Sequence, residues 1–347
     1  MKNIYDLTLD ELIEFFLTHN EKKFKAEQVF EWLYRKRVKS FDEMTNLSKN
    51  QIALLKDNFE IKELLLKEKY LSKDGTVKFL FELNDGNLIE SVLMKHPYGY
   101  SVCITSEVGC KMGCIFCASG ELGFIRQLTL AEMVLQVVQV DNYLKEKDEH
   151  LSNIVVMGIG EPFDNYETLI KFLYVVNYPK GLEIGARHIT VSTSGIVPKI
   201  KEFAEVDLQI NLAVSLHAPN DELRSQMMKI NKTYPLAELM EAIRYYLSKT
   251  NRRITFEYIL IKGLNDSLMH AKELAKLLKG INCYVNLIPY NKVWTKSLDT
   301  TDHTSAEEFL TYLVSKDITT TLRIEKGNDV NAACGQLRAK RMVNNES

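Results

Sequence analysis

The sequence predicts an α/β fold: parallel strands wrapped by helices in an open or closed barrel, preceded by a helical module and a β-meander. Three features carry that expectation. Apolar residues recur at helical spacing over 1–60, and two Asp-Gly pairs separate alternating apolar runs over 61–95. From about residue 100 to 340, short apolar strands then alternate strictly with amphipathic helices. The expected parts are therefore 1–60, a helical accessory domain, 61–95, a meander linker, and 96–347, the barrel with a C-terminal loop.

In the first part, Leu9, Leu12, Ile13, Phe16 and Leu17 share a helical face, and so do Val29, Phe30, Trp32 and Leu33. Asp42 and Ser48 are candidate N-caps. In the second, Asp74-Gly75 and Asp85-Gly86 are hairpin signals, because such pairs accept positive φ. In the third, "NIVVMGIG", "RHITVSTSG", "LQINLAVSLH", "ITFEYILI", "YVNLIPYN" and "TTTLRI" read as strands. The segments between them, such as "YETLIKFLYVVN" and "LAELMEAIRYYLSKT", read as helices. Ligands gather at the carboxyl ends of such strands. There stand Gly158 to Pro162, Ser192 to Gly195, Ser215 to His217, and Asn286 to Asn291.

With 347 residues, 46% hydrophobic and 26% charged, the chain has the composition of an ordinary globular protein. No apolar run approaches the roughly 18 residues of a membrane span, so no membrane partner is expected. The opening "MKNIYDLTLDELIEFF" mixes acids among its apolar residues and is no signal peptide, which points to a cytoplasmic protein. A net charge of −2 neither demands nor excludes nucleic acid. Basic clusters stand at Lys22–Lys25, Arg35–Lys39 and Arg338–Arg341; each alone reads as a solvated surface.

Six cysteines are present: Cys103, Cys110, Cys114, Cys117, Cys283 and Cys334. In a cytosolic chain they suggest metal or catalysis rather than disulfide staples. Cys110, Cys114 and Cys117 are spaced C-x3-C-x2-C. A zinc site would need a fourth ligand, from Cys103 or, less well placed, His96. A redox dithiol would use Cys114 and Cys117 and leave Cys110 unexplained. A third reading is a [4Fe–4S] cluster on three thiolates, with one iron left open. Taken alone, Glu90 reads as a solvent-facing glutamate, Cys334 as a small buried hydrophobe, and His217 as a core histidine. Cys283 is assigned to the core.

The cysteine spacing, with Phe116 just before its last member, resembles the radical S-adenosylmethionine (SAM) superfamily. The likeness extends further. "CITSEVGCKMGCIFCASGELGFIRQLTLAEMVLQV", "VVMGIGEPFDN", "RHITVSTSGIVPKI", "LAVSLHAPNDELR", "VNLIPYN" and "NAACGQLRAK" occur in the order typical of the RlmN/Cfr family of RNA methyltransferases. The resemblance implies a partial (β/α)6-type barrel and one [4Fe–4S] cluster held by Cys110, Cys114 and Cys117. The amine and carboxylate of SAM would occupy its open iron. It further implies cofactor contacts at Gly160, Glu161, Ser192, Ser215, Leu216, His217 and Asn291, with His217 bordering the cofactor rather than acting on it.

The chemistry implied is methylation of adenine C2 in 23S ribosomal RNA and in tRNA, with two SAM molecules used per turnover. Cys334 would carry the methyl group, Cys103 would resolve the adduct through a transient disulfide, and Glu90 would remove the C2 proton. An electron donor such as flavodoxin and a monomeric enzyme are also implied. The alternatives are Cfr-like methylation at adenine C8 and, from another class, a zinc-stabilised RNA-binding module without catalysis. Lys229, Lys326 and Asn331 depart from the family's usual Pro, Arg and Asp.

Overall fold

The helices of the N-terminal module begin where the sequence supplies caps. Thr8 accepts from the Glu11 N–H and Glu11 answers at the Thr8 N–H, which opens α1 (Leu9–Thr18). After α2 (Phe24–Glu31), Ser48 and Gln51 form the same reciprocal pair at the start of α3 (Lys49–Asn58). Asp42 does not cap. Ser40, with extended backbone, caps the short turn Phe41–Glu43 instead, and Asp42 binds Lys56 at 2.7 Å. The structure, a computed structural model, describes residues 1–337 except 122, 294 and 324–325. The basic cluster Arg338–Arg341 lies outside the described residues.

Two short strands, β1 (Lys2–Asn3) and β2 (Phe59–Glu60), pair in parallel and bring the ends of the module together. Its apolar faces, among them Phe16, Phe30 and Leu33, bury into the core that also backs the barrel. Arg35 donates to the Pro179 carbonyl at 2.6 Å and pairs with Glu183 at 2.8 Å. Arg37 is half-buried against Asp141 and Asn142. Two members of the second basic cluster therefore fasten the module to the barrel, Arg35 from an exposed position.

The meander follows as β3 (Leu65–Leu71), β4 (Val77–Glu82) and β5 (Leu88–His96), all antiparallel. Each Asp-Gly pair turns a hairpin, with Gly75 at φ +83° and Gly86 at φ +77°, where side chains are disfavoured. β5 pairs onward with β6 (Gly99–Cys103), which in turn lies parallel to β9 (Leu151–Val156). One ten-stranded sheet results, with the meander strands at one end of it. The meander is thus built into the barrel sheet, where the sequence suggested a linker. The tight β5–β6 connection is what joins them.

Between β6 and β9, a small hairpin of β7 (Glu107–Gly109) and β8 (Phe124–Gln127) precedes α4 (Leu130–Lys145). The repeat then runs α5 (Tyr166–Asn177), β10 (Ile189–Thr193), α6 (Val197–Phe203), β11 (Asn211–Ser215), α7 (Asp221–Met227) and α8 (Leu236–Thr250). It closes with β12 (Ile254–Leu260), α9 (Leu268–Leu277), β13 (Cys283–Pro289), α10 (His303–Val314) and β14 (Thr319–Leu322). Six strand–helix units run from β6 to α10, and β14 and β3 are the edges, so the barrel is an open one by its hydrogen bonds. Val191, Leu212, Val214, Phe256 and Val285 are fully buried, as expected for parallel strands covered on both faces. Cys283 also lies in this core. No helix among the described residues is long and apolar enough to cross a membrane.

Candidate functional site

The three spaced cysteines hang in a loop between β7 and β8. Gly109 starts it at φ +76°, and a Cβ there would fall 1.8 Å from the Gly123 carbonyl oxygen, so only glycine fits. The Ile115 N–H donates to Met227 at the end of α7 (3.1 Å), and the Ala118 N–H donates to Gly335 (2.9 Å). These bonds set Cys110, Cys114 and Cys117 around one rim cavity. Gly160, Glu161, Ser192, Ser215, His217 and Cys334 line the same cavity.

Burial, reinforced by the neighbouring Cys117 thiol, pushes Cys110 up to about 12. Cys114 is pushed up as well, by burial and then by Cys117 and Cys110. Such thiols lose their protons when a strongly charged cation binds the sulfur. Among the described residues, no three His, Cys, Asp or Glu side chains form a group that could hold a metal ion. His96 binds Ser101 Oγ at 2.8 Å, and Cys103 sits among Val92, Met94 and Ala332, so neither completes a zinc site. The three thiols nonetheless line one cavity, where a group larger than a single ion would meet all of them. The buried Ser194 Oγ in the same wall has no hydrogen-bond partner among the described residues, leaving a polar atom for a bound molecule.

Gly160 ends β9's turn at φ +108°, where a Cβ would lie 2.6 Å from the Glu107 Cβ. Glu161 is buried; its carboxylate accepts from the Ser194 N–H at 2.6 Å and the Phe163 N–H at 3.0 Å. Its own N–H donates to Glu107 Oε2 at 2.9 Å. Burial raises Glu161, which favours a cationic group beside it. Glu107 is pushed up to about 8, by burial first and then by the Asp164 and Glu161 carboxylates. The sequence reading missed Glu107; an acid three residues before the first cysteine of the triplet was the available signal.

Arg224 on α7 was also missed. It is fully buried and donates to the carbonyls of Leu216 (3.1 Å), Ser194 (2.7 Å) and Ser215 (3.1 Å), and to Asn231 Oδ1 (2.9 Å). One guanidinium thereby gathers the ends of β10 and β11. Burial lowers it only to about 10, so it keeps its charge at neutral pH. His217 takes left-handed backbone (φ +57°), and its Nδ1 accepts from the Ile259 N–H at 3.0 Å. Burial and then Arg224 depress it to about 3, leaving a neutral ring set edge-on to Phe116 at 4.8 Å. The Leu216 side chain points into the core, and only its backbone belongs to the rim.

Asn291 lies in the adjoining cavity, which also contains Met94, Arg323 and Cys334. Its Nδ2 donates to the Cys334 carbonyl at 3.0 Å. Cys334 is exposed and Cys103 buried, and both are free thiols, so the expected Cys103–Cys334 disulfide is not formed here. Burial, then the nearby Cys334, pushes Cys103 up to about 12; a protonated thiol does not attack. Glu90 is buried rather than solvent-facing, 3.2 Å from Lys78 Nζ. Arg323 lines both cavities, and Cys334 and Glu257 raise its guanidinium against the opposing burial.

An open parallel barrel with three rim cysteines beside a glycine–glutamate strand end defines a radical SAM enzyme. Residues 104–276 match the radical SAM superfamily, and residues 2–61 match the ribosomal RNA large subunit methyltransferase N-terminal domain. A crystal structure of a radical SAM methyltransferase from Sphaerobacter thermophilus is 44% identical, with a TM-score of 0.93 over 98% of this chain and 100% of that one. The relative from Geobacillus thermodenitrificans, named "Probable dual-specificity RNA methyltransferase RlmN", is 58% identical over 98% of this chain and 93% of its own length. Those of Acholeplasma laidlawii and Bacillus subtilis, with the same name, are each 54% identical, over 98% and 97% of this chain and 99% and 93% of theirs. The chain belongs to the RlmN family of radical SAM RNA methyltransferases.

Proposed function

We propose that the chain methylates C2 of adenine in large-subunit ribosomal RNA and in tRNA, with Cys334 as the relay for the methyl group. The supporting observation is that Cys334 shares one cavity wall with Cys110, Cys114 and Cys117. A [4Fe–4S] cluster bound at those three thiolates would supply the electron that cleaves SAM to a 5′-deoxyadenosyl radical.

Glu161 and the backbone after Gly160 would bind the methionine ammonium, and Ser192, Ser215 and the His217 backbone would line the nucleoside. Cys334 first attacks the sulfonium methyl of one SAM: its S–C bond forms, the SAM C–S bond breaks, and S-adenosylhomocysteine leaves. After loss of a hydrogen atom from that methyl to the 5′-deoxyadenosyl radical, its carbon would join adenine C2, and the adduct would return one electron to the cluster oxidised in cleaving SAM. Glu90 takes the C2 proton. Cys103 would then give up its thiol proton and attack the Cys334 sulfur: the S–S bond forms, the bond from the Cys334 sulfur to the methylene carbon breaks, that carbon takes up a proton, and methyladenine leaves.

The exposed lysines of the helical module, Lys22, Lys23 and Lys36, would grip the RNA backbone while the target base turns out into the barrel mouth. We take the enzyme as a cytoplasmic monomer served by an electron donor such as flavodoxin. Incubation with SAM, a reductant and unmodified ribosomal RNA, followed by nucleoside analysis, should give 2-methyladenosine, and none with Cys334→Ala. Methyl found at C8 would overturn the C2 assignment.

A further inference from the structure

We propose that Lys78 is a positioning residue that joins Glu90 to the loop carrying Cys334. The inference rests on the reading of Glu90 as the group that takes the C2 proton. Lys78 stands on β4, directly opposite Tyr70 on β3, while Glu90 on β5 faces Leu80, two positions along. Lys78 and Glu90 are therefore diagonal neighbours on one face of the meander. Both are buried. The ammonium lies 3.2 Å from Glu90 Oε1, donates to the Asn331 carbonyl at 3.4 Å, and sits 5.1 Å from the Tyr70 ring centre.

A buried ammonium on a surface meander strand is costly unless its surroundings offset the lost hydration. Here a carboxylate, a carbonyl and an aromatic face each supply part of that offset. The carbonyl belongs to Asn331, three residues before Cys334, in left-handed backbone at φ +51°. The same loop is held to the β3–β4 turn nearby. Asp329 accepts from Ser72 Oγ at 2.5 Å and from the Lys73 N–H at 3.1 Å, and the Gly327 N–H donates to Asp74 at 2.9 Å. Those contacts fix the loop alone. Lys78 fixes the loop and the carboxylate to each other.

Lys78 holds the Glu90 carboxylate toward the loop that carries Cys334. When the C2–H bond breaks, its proton passes to the Glu90 carboxylate and its electron pair stays with the adduct. The bond from Lys78 to Asn331 survives that neutralisation and keeps the loop in place for attack by Cys103.

The test uses full-length, cluster-reconstituted protein carrying Lys78→Met, Lys78→Arg or Glu90→Gln. Three quantities are measured: methyl on Cys334 by mass spectrometry without RNA, covalent protein–RNA adduct on denaturing gels, and melting temperature. Lys78→Met should methylate Cys334 within about twofold of wild type. It should nonetheless accumulate adduct on the order of tenfold more, less than the roughly 10²–10⁴-fold of losing the base outright, because Glu90 itself remains. Lys78→Arg should restore adduct resolution. Should Lys78→Met melt early, Lys78→Gln carries the same comparison. Equal loss of Cys334 methylation and product, with no adduct, would overturn the inference, because Lys78 would then support only the loop. Adduct with Glu90→Gln but not with the Lys78 variants also overturns it, whereas no adduct with Glu90→Gln removes the reading of Glu90 itself.

Discussion

Asn291 Nδ2 donates to the Cys334 carbonyl across 3.0 Å, so the loop after β13 fixes the backbone of the residue assigned to carry the methyl group. Asn291→Ala should slow methylation of Cys334 roughly fivefold, from loss of one hydrogen bond of about 1 kcal/mol. SAM affinity should change less. Mass-spectrometric timing of methylcysteine and calorimetric titration with SAM separate the two effects. A larger loss in SAM affinity would return Asn291 to the cofactor contacts implied by the sequence.

Replacing Cys110, Cys114 or Cys117 with Ala should remove iron and sulfide from anaerobically reconstituted protein. The apo melting temperature should stay near that of wild type, since the loop is fixed by backbone bonds to Met227, Gly123 and Gly335. Metal analysis and a thermal melt check both points. Zinc binding that survives in all three variants would contradict the cluster assignment.

Glu107 gives the apo protein a defined pH dependence. Its pKa rises from 4.5 to about 8 on folding, so between those values the folded state binds the extra proton. This contribution is fully present below 4.5 and is lost as pH rises through about 8. Glu107→Gln, always neutral, should flatten that decline, and its advantage over wild type should be greatest at alkaline pH. Denaturant melts across the range read it out.

Arg224→Met would leave the carbonyls of Ser194, Ser215 and Leu216 without this donor in a buried place. Destabilisation of about 3 kcal/mol or more is expected, together with weaker SAM binding. Arg224→Lys should recover only part of it, because one ammonium cannot reach partners arranged around a planar fork.

Within the second basic cluster the residues should behave differently. Arg37→Glu would set a carboxylate against buried Asp141 and should lower the melting temperature. Lys36→Glu, on an exposed lysine, should leave the melt unchanged and weaken RNA binding, with a shallower salt dependence. If Lys36→Glu left RNA binding and its salt slope unchanged, this face would not be the RNA-binding one.

Much of this architecture was legible in the sequence for physical reasons. Ile189 and Val191 on β10 and Leu212, Ala213 and Val214 on β11 are apolar because the covering helices bury them, and the Asp-Gly turns need positive φ at glycine. Gly160, Glu161, Ser192, Ser215 and His217 stood out as polar residues ending apolar runs. Glu107, Arg224 and Lys78 did not. Each is a charged residue whose burial depends on partners distant in sequence or on another strand, and periodicity places such residues on the surface. The roles of Arg35 and Arg37 in fastening the module were hidden for the same reason: Glu183 and Asp141 lie more than a hundred residues away.

Methyl transfer through Cys334 is tested most directly with SAM carrying a trideuterated methyl group, followed by mass analysis of Cys334 peptides and of modified adenosine. The label should appear on Cys334 before RNA is added, and the adenosine product should then carry two deuteriums, one having been lost to the radical and replaced from solvent. A product retaining all three deuteriums, with Cys334 unlabelled, would contradict the account.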